Sequence, residues 1–252
     1  MDVAVAYKWA ANPADAAVAA DGSVDWSRAK AGISEYDPVA IEVGRAVATH
    51  AGAELVGLSV GTAAAATPLA TKAAASRGLD RAVIVSDDDA AGWTATQVAG
   101  ALAELVRRQQ VGLLLTGDAS VDENAKVVSA LVAGHLGWPC VQEVTEVVPD
   151  GDGWVLTQTV PGGTRTLAVD GPAVVGVTTD AAQPRVPGMK DILAAGKKPV
   201  EKLSAAEVTV AEVPVAVTSR VRPQARARKQ QIFTGSDAAA ELAAALRADG
   251  SL

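Results

Sequence analysis

The sequence predicts an α/β chain built on a doubly wound, mostly parallel sheet, with an antiparallel β extension and a C-terminal arm. Three observations carry this. Short apolar runs alternate with longer stretches of helical periodicity through the first half. The runs are apolar at successive positions rather than at every second one, as in strands covered by helices on both faces. Beyond Trp138-Pro139 the helical spacing stops, and β-branched segments follow one another across glycine-rich turns.

In chain order, Val3–Tyr7 reads as the first strand, and Asp37–His50, with apolar residues at 3–4 spacing, as an amphipathic helix. Glu54–Val60 is a strand closed by Gly61, and Ala63–Gly78 an alanine-rich helix ending at a C-cap glycine. Arg81–Val85 is a strand, Thr94–Gln109 a helix, Val111–Thr116 a strand and Asp122–Leu136 a helix. Val141–Val148, Trp154–Val160 and Arg165–Val169 are separated by Asp150-Gly151-Asp152-Gly153 and Gly162-Gly163, which read as hairpin turns. Pro172–Thr178 returns to the buried-strand pattern. From Thr179 to about Ser236 the periodicity is weak, so this stretch reads as an arm over another surface, before a last helix from Ser236 or Asp237 to about Ala248.

At 252 residues the chain holds one large domain or two small ones. Apolar residues make up 49% and aromatics 3%, so the core relies on Ala, Val and Leu. A net charge of −7 argues against nucleic acid and anionic lipid as partners. The charge is uneven: between Arg185 and Lys229 ten basic residues face four acidic ones, a local +6 that leaves −13 on the remainder. Either the stretch meets an acidic surface or it is a solvated linker. One cysteine forms no internal disulfide. No apolar run has the length of a membrane span or follows a basic leader segment, so the expected location is the cytoplasm.

Glycine-rich dinucleotide fingerprints, phosphate-binding G-x-x-x-x-G-K-[ST], H-E-x-x-H, C-x-x-C and G-x-S-x-G are all missing, so no residue is predicted to be catalytic or to bind metal. His50 and His135 sit late in predicted helices, where an imidazolium suits the helix dipole. Cys140 reads as a small buried apolar residue. The most specific stretch is Thr116-Gly117-Asp118-Ala119-Ser120-Val121-Asp122-Glu123-Asn124, a strand end, a loop and a predicted helix start. Ser120 and Glu123 have capping-box spacing, so the loop offers backbone N–H groups where open α/β sheets bind nucleotides. Ser34-Glu35-Tyr36-Asp37 is a second such point, with Ser34 and Asp37 fitting a helix cap. The glycine after Val60 adds a third. Asp122 and Glu123 would repel a phosphate, with Lys126 nearby to offset them; carboxylates suit ribose hydroxyls better.

Gly117 to Asn124, running on to Leu136-Gly137-Trp138-Pro139, resembles the signature stretch of the electron transfer flavoprotein β (small) subunit. Val5-Ala6-Tyr7-Lys8 looks like that family's opening strand, Arg77-Gly78-Leu79-Asp80-Arg81-Ala82 like its Gly-x-Asp-Arg-Ala turn, and Gly162-Gly163 like its late hairpin. Gln183-Pro184-Arg185-Val186-Pro187-Gly188-Met189-Lys190-Asp191-Ile192-Leu193-Ala194-Ala195-Gly196-Lys197-Lys198-Pro199 is similar, without gaps, to its recognition loop.

The resemblance implies a heterodimer whose α subunit holds the redox-active FAD, while the β subunit binds AMP in a Rossmann-like domain. It implies domains of 1–200, including the recognition loop at about 180–199, and 201–252, an arm and helix packing on the α subunit. Carried over by position, the AMP site is Ala6, Ser34, Glu35, Tyr36, Asp37, Val60 and Gly117, Asp118, Ala119, Ser120, Val121, Asp122, Glu123, Asn124, Ala125, Lys126, Val127 and Val128. Docking to acyl-CoA dehydrogenases or related flavin dehydrogenases falls on Pro184, Arg185, Met189, Lys190, Ile192 and Leu193, with Met189 as the apolar anchor. A quinone reductase or other acceptor would follow.

The chain departs from the family where Ser34-Glu35-Tyr36 replaces Asn-Pro-Phe, Ala119 a Gln, and Lys126-Val127-Val128-Ser129 a Gly-Gln-x-Gly run. Fewer polar partners remain for a nucleotide. Two alternatives stand beside this reading. One is an electron-bifurcating subunit with a second FAD and NADH oxidation, whose Gly-x-Asp-Thr-x-Ala-Thr loop is partly echoed in Ala91-Gly92-Trp93-Thr94-Ala95-Thr96. The other is a stand-alone ATP-binding stress-type homodimer.

Overall fold

Continuous apolar runs do form a parallel sheet here, and its strand order places the loops of interest side by side. The computed structural model describes residues 2–19, 21–210, 218, 223–224 and 230–252. Arg220, Arg222, Arg226, Arg228 and Lys229, half of the basic stretch, lie outside the described residues. Contacts divide the chain into two units, Met1–Ala17 with Val24–Thr218, and Val18–Ser23 with Ser219–Leu252.

In the larger unit the elements are β1 (Asp2–Ala6), β2 (Trp9–Ala11), β3 (Ala31–Ile33), α1 (Asp37–Ala51), β4 (Leu55–Gly61), α2 (Pro68–Ala75), β5 (Arg81–Ser86), α3 (Ala95–Arg108), β6 (Val111–Gly117), α4 (Val128–Leu136), β7 (Cys140–Asp150), β8 (Gly153–Val160), β9 (Gly163–Val169), β10 (Ala173–Val177), α5 (Met189–Ala195) and β11 (Val200–Leu203). One nine-stranded sheet runs β9-β8-β7-β10-β6-β1-β4-β5-β11. Seven strands, β7 to β11 in that order, are parallel, and β8 and β9 extend the sheet as antiparallel hairpins. The predicted α/β class, the parallel sheet and the antiparallel extension are therefore present. Positive φ at Gly151 and Gly162 makes the two hairpin turns.

Each sheet face buries its own core. Val3, Val5, Leu113 and Leu115 pack with α1 residues Ile41 and Val47, while Ala4, Leu58 and Leu114 pack with α3 residues Leu102 and Leu105. The alternation of neighbours along β1 and β6 is the period of two that sends successive side chains to opposite faces. Helix α1 lies close against the sheet because Gly44 has no side chain: a Cβ there would meet Val5 Cγ2 at 2.7 Å and Leu55 Cδ1 at 2.9 Å. Helix α3 starts with a reciprocal cap. Gln97 N–H donates to Thr94 Oγ1, and Thr94 N–H to Gln97 Oε1. Thr94→Ala is expected to lower stability by about 1 kcal/mol in urea denaturation, with no change where Thr94→Ser is made.

Four expectations are corrected. The helix expected over Ala63–Gly78 is broken: Ala63–Ala66 form a short 3-10 turn and α2 begins at Pro68. Thr67 precedes the proline and is held extended at ψ 154, since the pyrrolidine ring clashes with an α conformation there. The helix expected from Asp122 begins only at Val128, because Asn124 and Lys126 adopt positive φ and interrupt it. The segment from Thr179 also carries more order than an arm: α5 forms within it, and β11 pairs with β5 so that Leu203 is buried. Cys140 is half-buried, not a core residue.

In the smaller unit α6 (Ala238–Ala248) matches the predicted last helix, and none of its residues is buried. No helix among the described residues is long and apolar enough to cross a membrane.

Candidate functional site

The parallel strands β6, β1 and β4 are neighbours, so their C-terminal ends, Gly117, Ala6 and Gly61, open onto one edge of the sheet. Three chain segments leave from that edge: Tyr7-Lys8, Gly61-Thr62 and residues 118–127. The turn before α1, Ser34–Tyr36, completes the surround. Around the crevice at this edge, Ser34 is joined to Val121, Asp37 and Asp122 to Lys8, and Lys126 to Asp118, with Gly117 beside Tyr36 and Asp37, although the capping roles expected for several of these residues are not the ones they play.

Ser34 is buried, and its hydroxyl accepts from Val121 N–H at 3.1 Å, which ties the 118–127 segment to the turn before α1. It caps no helix. The N-cap position belongs to Tyr36, which makes no side-chain cap bond. Asp37 stands in the first turn of α1 with its carboxylate turned inward, accepting the Lys8 N–H at 2.7 Å through Oδ2. Gly117 makes this approach possible: a Cβ there would lie 2.8 Å from both Asp37 Oδ1 and Tyr36 Cβ. Ser120 Oγ does accept from Glu123 N–H at 3.4 Å, but it closes a turn rather than a helix.

Both lysines of the crevice are engaged within it. Lys8 Nζ lies 2.7 Å from Asp122 Oδ2 and 2.9 Å from Oδ1, and Lys126 Nζ lies 2.5 Å from Asp118 Oδ2. Burial raises the Asp122 pKa, but the Lys8 hydrogen bond and charge outweigh it and hold the carboxyl below the usual range. The Asp118 hydrogen bond and charge raise Lys126. Asp37 behaves oppositely. Burial dominates, and its pKa is pushed up to about 8 against the partial opposition of Lys8. Lys8 is the member of this cluster that the predicted site residues leave out. Its position directly after the first strand was the available signal, since that is where a parallel sheet delivers side chains to its binding edge.

The cluster offers hydrogen-bond donors and acceptors for a small ligand with hydroxyl groups. Lys8 and Lys126 supply charge, Ser120 a hydroxyl, and Ala119 and Ala125 offer N–H groups that no protein acceptor takes up among the described residues. Carboxylates of Glu35, Asp118, Asp122 and Glu123 suit sugar hydroxyls and limit how much phosphate charge fits.

The residues expected to dock a partner fall elsewhere. Around α5, Val186 is 92% exposed, Met189 74% and Leu193 69%, with Ile192 also exposed. A helix of this kind normally turns its apolar residues inward; here they face out. The loop is pinned at both ends. Arg185 Nε bonds Glu42 Oε2 at 3.1 Å, and Lys198 Nζ bonds the Leu79 and Ala75 carbonyls. Burial opposes ionisation of Glu42, yet Arg45 and Arg185 together keep its carboxyl low. Arg185, expected in docking, is thus occupied in holding the loop to α1. Asp191 Oδ2 accepts from Gly188 N–H at 2.9 Å and starts the helix.

The two histidines lie apart from both places. His50 lies in the last turn of α1 beside a groove formed with Thr145–Pro149 and Ala181–Gln183. His135 lies in the last turn of α4, its carbonyl accepting from Arg107. Among the described residues no group of three or more His, Cys, Asp and Glu is placed to hold a metal ion. Comparison with protein families finds that the model of the electron transfer flavoprotein domain matches residues 22–208, a span that includes most of the crevice and the whole of the exposed loop.

Proposed function

We propose, because this chain belongs to the electron transfer flavoprotein family, that it serves as the β-type subunit of a heterodimeric electron carrier. It holds a larger subunit bearing the FAD, keeps AMP as a structural ligand in the crevice, and presents α5 to a flavin dehydrogenase. The observation that carries this reading is the pinned loop with outward-facing Val186, Met189 and Leu193. An apolar cluster held open to solvent by an ion pair at one end and lysine–carbonyl hydrogen bonds at the other costs solubility and is explained by a partner that covers it.

Flavin redox chemistry is supplied by the larger subunit. The residues of this chain bind and orient. The Ser120 hydroxyl and the N–H groups of Ala119 and Ala125 would hold a ribose phosphate, Lys8 and Lys126 would meet its charge, and Ser34 ties the segment that carries them to the turn before α1. The exposed Ile232 and Leu242 of the smaller unit supply apolar surface for packing on the α subunit.

Co-expression of the full chain with a flavin-bearing α subunit from the same source tests the reading. The expected result is a 1:1 complex with one flavin and one AMP. A stable homodimer without affinity for the α subunit would overturn it, and two flavins per heterodimer would favour the bifurcating alternative. Within that complex, Met189→Ala is expected to lower electron transfer from the dehydrogenase about tenfold at limiting partner, with FAD content and unfolding midpoint unchanged, because Met189 is 74% exposed in the free chain. Transfer at the wild-type rate would remove Met189 as the anchor.

A further inference from the structure

Two carboxylates and one ammonium group meet beyond the end of β1, and their pairing is lopsided. The Lys8 ammonium is given to Asp122 through both carboxylate oxygens, although that side chain is 22% exposed. Asp37 is 5% exposed and receives only the backbone N–H of Lys8. The more deeply buried carboxylate therefore lacks the ion pair that the more accessible one has.

The groups acting on Asp37 come from three elements. Tyr7, at the end of β1, carries a buried hydroxyl with no hydrogen-bond partner, and its pKa is raised by burial and then by Asp37 itself. Lys8 attracts and Asp122, from the segment after β6, repels. The N-terminal turn of α1 adds only its own partial positive charge. Among the described residues Lys8 is the one cation acting on Asp37, and it is committed elsewhere.

We propose that Asp37 sets which charge state the crevice accepts: a nucleoside phosphate binds while Asp37 is a neutral acid and is expelled when Asp37 ionises. This rests on the reading of the crevice as a nucleotide site and adds the control of its occupancy. A buried carboxylate without a counter-ion lowers its energy by keeping its proton. In that form it adds nothing to the negative charge of Glu35, Asp118, Asp122 and Glu123, which already outnumber Lys8 and Lys126. Ionised, it places one more negative charge under an arriving phosphate, from a buried position where water screens it poorly.

Titrating the Asp37 carboxyl carbon by NMR in the ligand-free full chain gives the first reading. A midpoint near 8 is expected, and one near 4 overturns the proposal whatever the nucleotide does. AMP affinity is then measured calorimetrically at pH 7 and pH 9, above the second ionisation of the phosphate near 6. The wild-type chain is expected to bind about tenfold more weakly at pH 9, following the protonated fraction of a group with a pKa near 8. Asp37→Asn is expected to bind equally at both values. Asp122→Asn frees Lys8 for Asp37 and is expected to move the loss of affinity to lower pH. Equal wild-type affinity at pH 7 and pH 9 overturns the proposal and leaves the nucleotide site standing. No AMP binding at any pH, with Asp37 still titrating near 8, overturns the nucleotide site and the proposal together.

Discussion

The unfolding free energy of this chain is expected to fall as pH rises from about 4 to about 8, by an amount on the order of 5 kcal/mol, and the fall is expected to vanish in Asp37→Asn. Burial lifts the Asp37 carboxyl from 3.8 to about 8 in the folded protein. Between those values the native state keeps a proton that the unfolded chain has lost, so deprotonation pulls toward the unfolded state. The contribution is complete below the unfolded value and is gone once pH passes the folded one. Asp122 and Glu42 are shifted the other way, and their contribution disappears on acidification below the ordinary carboxylate range, so they do not cancel the effect in this window. Urea denaturation of the full chain at intervals from pH 4.5 to pH 9 measures it. A flat wild-type profile would show that Asp37 ionises freely. Asp37→Asn keeps the shape and an acceptor for the Lys8 N–H, and is expected to be more stable than wild type at pH 9 by several kcal/mol.

Leu115→Ala is expected to cost about 2–5 kcal/mol, with the urea m-value unchanged. Leu115 is wholly buried on β6, a central strand, and its Cδ1 lies 3.2 Å from where a Cβ on Gly44 would stand. The backbone of α1 and the sheet approach so closely that little can move inward to fill the space left by the lost methyl groups. Leu193→Ala deletes the same atoms on α5, where the side chain is 69% exposed, and is expected to change stability by less than about 0.5 kcal/mol. A loss at Leu115 as small as that at Leu193 would contradict the packing described for α1.

Much of the body was legible from apolar periodicity. Runs such as Leu113-Leu114-Leu115 bury on both faces of a parallel sheet and read the same in the sequence as in the fold. The break at Pro68 was also written there, in the rule that the residue before a proline stays extended, but the alanine-rich flanks hid it. The start of α4 was less accessible. Ser120 and Glu123 have the spacing of a helix cap and do make the local bond, yet Lys8 and Ser34, distant in sequence, take Asp122 and Val121 and hold the segment as a loop. The exposure of Met189 was legible only through resemblance, because Met189, Ile192 and Leu193 at helical spacing would ordinarily be read as a core-facing stripe.

The sequence by itself determined the α/β class, the strand-by-strand alternation, the hairpin turns and the loops that carry the crevice, since each depends on neighbours within one or two turns of chain. Only the tertiary structure decided that Lys8 belongs to the crevice, that Arg185 holds the exposed loop to α1, and that Asp37 is buried without a counter-ion. Those are matters of which charges meet across long separations and of how much water remains between them, and a carboxylate's energy depends on both while its place in the sequence records neither.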